Sequence, residues 1–160
     1  MIGLKPSGFP EVTAELEAVR ARFNDRTPVH KVVAERIRKF VDDRFDTSTD
    51  PRGNKWDELK PETVKRRRKG SSKPLVDTTH LRGNIHADAF PDVVKWGTNV
   101  IYAGTHQWGH EEGGIAARGF LPVEKTGSNT YARIETGPAG VLWAKCEEDV
   151  DRYIKTGKLR

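Results

Sequence analysis

Apolar residues recur at helical spacing in three stretches of the chain and at alternate positions in others. In 11–23, Val12, Leu16, Val19 and Phe23 share one side, with acids early and arginines late, an order that suits the helix dipole. A longer helix is predicted from Pro28 to about Phe45, because proline is tolerated where a first-turn N–H has no partner. Its apolar stripe is Val33, Ile37, Phe40, Val41 and Phe45, and Glu35, Arg36, Arg38, Lys39, Asp42 and Asp43 face outward. A third helix is predicted from 139 or 140 to 156, with Leu142, Cys146, Val150, Tyr153 and Ile154 on one face and Gly157 as its stop.

Between the helices the period changes to two. In 82–89, Ile85, Ala87 and Ala89 fall on one side and Asn84, His86 and Asp88 on the other. Pro91 and Asp92 signal a turn, and 93–96 (VVKW) is β-branched and aromatic, so an antiparallel hairpin is predicted. A compact helical turn follows around Tyr102 to Trp108. Short strands are predicted over 120–123 and 130–136, and a short basic helix from Lys60 to Lys69. Residues 1–10 read as an arm, 46–55 and 111–117 as loops, and 70–74 (GSSKP) as a flexible hinge. The fold class is therefore α+β. A small antiparallel sheet carries the long helix and the C-terminal helix on one face, with extended loops, in a single domain over 1–160 (46–74 an extended loop and short basic helix). Ile37, Phe40, Val41, Val94, Trp96, Leu142 and Val150 are expected to be largely buried. The loops 46–55 and 69–74 are expected to be mobile in a free subunit.

Composition narrows the function classes. Hydrophobic residues make up 35% and charged residues 32% of 160 positions, which supports a modest core with a large polar surface. Such a chain gains burial by assembling with copies of itself. The formal net charge is +5, widely spread, a weak pointer to nucleic acid. A single cysteine, Cys146, excludes an intramolecular disulfide and fits a reducing compartment. No apolar run approaches the roughly 18 residues of a membrane span, so no membrane partner is expected. The start, MIGLKPSGFP, lacks the apolar core of a signal peptide.

Catalytic signals are thin. His106 and His110 are four apart, but no HExxH and no cysteine pair completes a metal set, so no metal or cofactor is expected. Local hydrogen bonds for His106 and a loop position for His110 are the plainer reading. Asp77, Thr78 and Thr79 read as a side-chain-capped turn before Leu81. The serines lack a nucleophile-elbow context, and Cys146 reads as a buried thiol. No catalytic residue is assigned. The run Lys65, Arg66, Arg67, Arg68, Lys69 supports three readings: a phosphate contact, a solvated helix end, or a contact with an acidic neighbour.

Four blocks in order carry a resemblance. They are DPRGNKWDEL with Thr63 (50–59), LVDTTHL (75–81), VKWGTNVIYAGTHQWG (94–109) and AARGFLPV (116–123). Together they resemble the phage virion morphogenesis family, the Mu-type tail completion or neck proteins, over roughly 45–123. Thr79 stands where that family usually has glycine, and Ala116 and Gly119 where proline is common. The gap at 110–115 is wider and the tail after Val123 longer. The resemblance implies a non-enzymatic virion protein, assembled in the host cytoplasm. It implies a homo-oligomeric ring, a hexamer, at the head-proximal end of the tail. Its neighbours would be tail tube or sheath and head connector proteins, with loose DNA contact in the channel. Candidate interaction residues are Lys65, Arg66, Arg67, Arg68, Lys69, Trp56 and Arg118. The rival readings are a DNA-binding or nuclease accessory domain, resting on the basic balance, and an enzyme with a His106/His110 metal site.

Overall fold

One long helix sets the frame. The computed structural model describes residues 10–67 and 71–159. In chain order the elements are α1 (Pro10–Asn24), α2 (Thr27–Thr47), α3 (Pro61–Arg66), α4 (His80–Gly83), β1 (Ile85–Ala89), β2 (Val94–Thr98), α5 (Ala103–Trp108), β3 (Val123–Lys125), β4 (Tyr131–Arg133) and α6 (Gly137–Thr156). The α+β class holds. α2 buries the predicted stripe, Val33, Ile37, Phe40, Val41 and Phe45, and adds Val29, Val32 and Ala34. It lies across the β1–β2 hairpin and along α6.

α2 and α6 are joined by charge as well as by apolar contact. Asp149 of α6 is 2% exposed and accepts hydrogen bonds from Arg36 of α2 (2.5 Å) and from Arg152 (3.0 Å). A buried carboxylate needs such partners, because an unpaired one would bear the full cost of desolvation. α6 starts where only glycine fits. Gly137 has φ +60°, and a Cβ there would sit 2.4 Å from the Arg52 carbonyl oxygen. It ends at Gly157, whose left-handed backbone lets its N–H return to the Tyr153 carbonyl (2.8 Å).

The predicted hairpin forms, with Ala89 opposite Val94, Ala87 opposite Trp96 and Ile85 opposite Thr98. Its first strand is shorter than the alternation implied. Residues 80–83 turn helically, so β1 begins at Ile85. Val94, Trp96 and Val150, expected in the core, are only partly buried and pack against its edge. The second strand pair is β3 with β4, Val123 opposite Arg133. The strand expected over 120–123 begins only at Val123. The Phe120 and Leu121 N–H groups are taken by the Gln107 side chain, and Pro122 has no N–H to give.

Two of the expected loop segments carry local hydrogen bonds among their described residues. The 48–56 loop is closed by Asp50, whose carboxylate accepts the N–H groups of Arg52 (2.9 Å) and Asn54 (2.8 Å). Thr49 bridges Lys55 across it, and the Trp56 N–H reaches the Ser48 carbonyl (2.9 Å). In the presumed hinge, the described residues 71–76 are held by the Arg67 guanidinium. Its Nη1 donates to the carbonyls of Ser71, Lys73 and Val76 at 3.2, 2.6 and 3.2 Å. The expected cap at Thr79 is absent. Its hydroxyl donates to the Thr78 carbonyl instead, and its backbone is left-handed at φ +61°.

α1 forms where its periodicity predicts, yet none of its residues is buried. Val12, Leu16 and Phe23 are 51%, 64% and 60% exposed. The arm expected over 1–10 lies outside the described residues up to residue 9, and Pro10 opens α1.

Two outcomes test this packing. Phe40 is 7% exposed. Phe40→Ala is expected to cost about 3–5 kcal/mol in denaturant unfolding, and a loss below about 1 kcal/mol would contradict the α2 packing. A left-handed β-branched residue is strained by about 1–2 kcal/mol, which exceeds the entropy that glycine adds to the unfolded chain. Thr79→Gly is therefore expected to raise stability by about 0.5–1 kcal/mol, and an unchanged or lowered midpoint would show that no strain resides there.

Candidate interaction surfaces

An apolar cleft of about 570 Å³ lies between β2, α5 and β4. Trp96 forms one wall. Its ring lies 6.2 Å from that of the buried Trp143, over which the Arg133 guanidinium also sits (5.3 Å). Phe120 and Val100 contribute to the lining. The outer wall is an aromatic pair, Trp108 and Tyr131, stacked at 5.6 Å with an interplanar angle of 19°. Both rings are exposed, Tyr131 at 54%. Aromatic surface held open on a rigid frame suits a protein contact.

One buried amide holds the cleft in shape. Gln107 projects inward from α5, and its Oε1 accepts the N–H groups of Phe120 (2.9 Å) and Leu121 (3.0 Å). The sequence reading gave His106 the local hydrogen bonds, but the structure gives them to its neighbour. A glutamine next to two glycine- and aromatic-rich blocks was the available signal. The α5 helix turns His106 toward Tyr102, whose ring meets it edge-on at 5.7 Å. His106 Nδ1 is buried without a hydrogen-bond partner. His110 faces its own loop, where its Nδ1 accepts the Gly113 N–H (2.9 Å). Among the described residues no three of His, Cys, Asp and Glu converge as metal ligands do.

The predicted interaction residues separate into two groups. Trp56 is buried: its ring meets Phe45 edge-on at 5.8 Å, and its Nε1–H donates to the Gly119 carbonyl (2.9 Å). Arg118 is 8% exposed, and its guanidinium donates to the carbonyls of Asp57 (3.0 Å) and Glu58 (3.2 Å). These two side chains brace the interior of the isolated chain. Arg67 is half-buried in its three carbonyl contacts. Lys65 and Arg66 are exposed on α3, while Arg68 and Lys69 lie outside the described residues. Cys146 is buried, and burial pushes its thiol up to about 11, which leaves it without a useful thiolate at neutral pH.

The two braced arginines have an electrostatic consequence. Burial first, then the charges of Arg118 and Arg67, hold the His106 imidazole below its ordinary 6.5. As pH falls through 6.5, the unfolded chain takes up a proton that the folded chain refuses. The stability tied to neutral His106 is thus complete above 6.5 and declines on acidification, until the folded imidazole is itself protonated. His106→Gln is expected to flatten the dependence of unfolding free energy on pH just below 6.5. An unchanged slope in that window would place the titrating group elsewhere.

Comparison with known proteins agrees with this arrangement of blocks. The model of the phage virion morphogenesis family matches residues 9–134, a wider span than the four blocks alone suggested. The Mu-like prophage FluMu G protein 2 of Haemophilus influenzae is 30% identical over 126 residues, covering 76% of this chain and 83% of that protein. No solved structure matches. No helix among the described residues is long and apolar enough to cross a membrane. With its motif blocks gathered around Trp56, Gln107 and Phe120, and matched over most of its length, the chain belongs to the phage virion morphogenesis family.

Proposed function

We propose that this protein is a non-enzymatic virion component that forms a ring, a hexamer, at the head-proximal end of the tail, completing the tail and joining it to the head. The observation that carries the reading is unfinished burial in a member of this family. Among the described residues, the Trp108–Tyr131 pair and Val12, Leu16 and Phe23 of α1 are left exposed. Rings are built from heterologous contacts, one surface of a subunit meeting a different surface of the next. The neighbours along the tail axis would be tail tube or sheath and head connector proteins. DNA in the channel would meet exposed cations such as Lys65 and Arg66 loosely, without base readout.

A nucleic-acid role as the main function has less support. Three cations of the basic run are described, and one of them, Arg67, is occupied in holding the 71–76 turn. No aromatic residue flanks the run to stack a base.

Particles assembled without this protein are expected to show unjoined heads and tails in electron micrographs, and the purified protein to show rings. Normal joined particles would overturn the proposal. Lys65→Ala with Arg66→Ala is expected to leave folding nearly unchanged, because exposed charges contribute little to stability. Arg67 is kept, since its loss would release the 71–76 carbonyls. Steep loss of DNA binding with salt by the wild type, absent from the double variant, would favour the nucleic-acid reading instead.

A further inference from the structure

Charge on the α2–α6 side of the molecule is unbalanced. A groove of about 310 Å³ lies between the two helices, lined by four cations, Arg36, Lys39, Arg44 and Lys145, and one acid, Asp43. Asp43 accepts Lys39 (3.1 Å). Arg36 shares the buried Asp149 with Arg152, so one carboxylate serves two guanidinium groups, and Glu148 adds a smaller effect at Arg36 through charge alone. Lys145 is exposed and has no ion pair or hydrogen bond among the described residues. Arg44 is half-buried with its Nε unpartnered, and its Nη1 reaches the Asp50 carbonyl at 3.4 Å. Burial lowers its pKa, against the opposing charges of Asp43 and Asp50. A cation drawn out of water without a carboxylate of its own leaves donors for an acceptor from outside the chain. The floor between these charges is apolar. Phe40 and Leu142 form it, and Val141 is 55% exposed at its edge.

The same chain carries a projection of matching character. The 110–115 turn is closed by the backbone pair of His110 and Ile115 (2.9 and 3.0 Å) and by the Gly114 N–H on the Glu111 carbonyl (2.9 Å). Every residue of it is exposed. The carboxylates of Glu111 and Glu112 have no ion pair or hydrogen bond among the described residues, although Lys60 approaches Gly114. Ile115, in the same turn, is 36% exposed. A turn already ordered by its own backbone loses little freedom when it docks. Two unpaired carboxylates beside an apolar side chain complement an apolar floor between uncompensated cations. We infer that the Glu111–Ile115 turn of one copy docks in the α2–α6 groove of the next, with its carboxylates on Arg44 and Lys145 and Ile115 over Val141. This rests on the self-assembly part of the function proposed above, and it names the two surfaces that meet.

The opposing occupant is the phosphate backbone of DNA. Phosphates would meet the cations but leave Val141 uncovered. The Phe40 ring lies under the Arg44 guanidinium (4.9 Å) and is 7% exposed, so it offers no face to a base.

The full-length protein and its variants are compared by sedimentation equilibrium at low salt. Lys39→Glu with Lys145→Glu reverses the groove, and Glu111→Lys with Glu112→Lys reverses the turn, all at exposed positions. Unfolding midpoints confirm that each variant is folded. Wild type is expected to self-associate, less so as salt rises. Each double variant alone is expected to lose at least about tenfold in association constant. The two mixed are expected to form a 1:1 dimer through the one unaltered turn and the one unaltered groove, and the quadruple variant to recover association. Lys31→Glu with Lys158→Glu, the same change of charge outside the groove, is expected to associate as wild type does. A mixture that stays monomeric, a quadruple variant that does not recover, or an equal loss in the Lys31 and Lys158 variant overturns the pairing. So does a wild type that remains monomeric near about 1 mM. A groove variant that associates like wild type but loses salt-sensitive binding to a short DNA duplex would assign the groove to phosphates instead. Virions separate this inference from the proposed function. Unjoined particles in the absence of the protein, together with normal particles from both double variants, keep the tail role and discard this contact.

Discussion

The fold depends on one aromatic junction at the C-terminal end of α2. Phe45 packs there against Trp56 and Phe120, with ring centroids 5.8 and 5.4 Å away, joining three segments distant in sequence. Polar contacts from the flanking segments back this junction. The Trp56 indole donates to Gly119, Gln107 receives the N–H groups of Phe120 and Leu121, and Arg118 reaches back to the carbonyls of residues 57 and 58. Aromatic burial supplies most of the stabilisation, and the hydrogen bonds fix one arrangement of loops that have little regular structure.

The surfaces offered for assembly follow from that junction. Holding 119–122 against α5 and α2 keeps the β3–β4 pair apart from the β1–β2 hairpin, and the apolar cleft lies in the gap. Several buried polar groups hold this geometry. Arg67 and Arg118 donate to backbone carbonyls, and their charge helps hold His106 below its ordinary pKa. A long basic run in a sequence is easily read as a binding surface, but a guanidinium has five donors and also closes turns.

The sequence by itself determined the three long helices and the hairpin, because periods of 3.6 and 2 are local and the apolar face must be buried. It also determined the family, since the order of four blocks survives without knowledge of how they meet. Tertiary structure decided what those blocks are for. Trp56 and Arg118 look the same in sequence whether they face a partner or the interior, and burial is a property of the whole chain. Gln107 gave no periodic signal, yet it prevents a strand at 120–122 by taking the N–H groups that a strand would use. The α1 stripe shows the converse. Its spacing fixed a helix, and only the fold revealed that Val12, Leu16 and Phe23 stay exposed among the described residues.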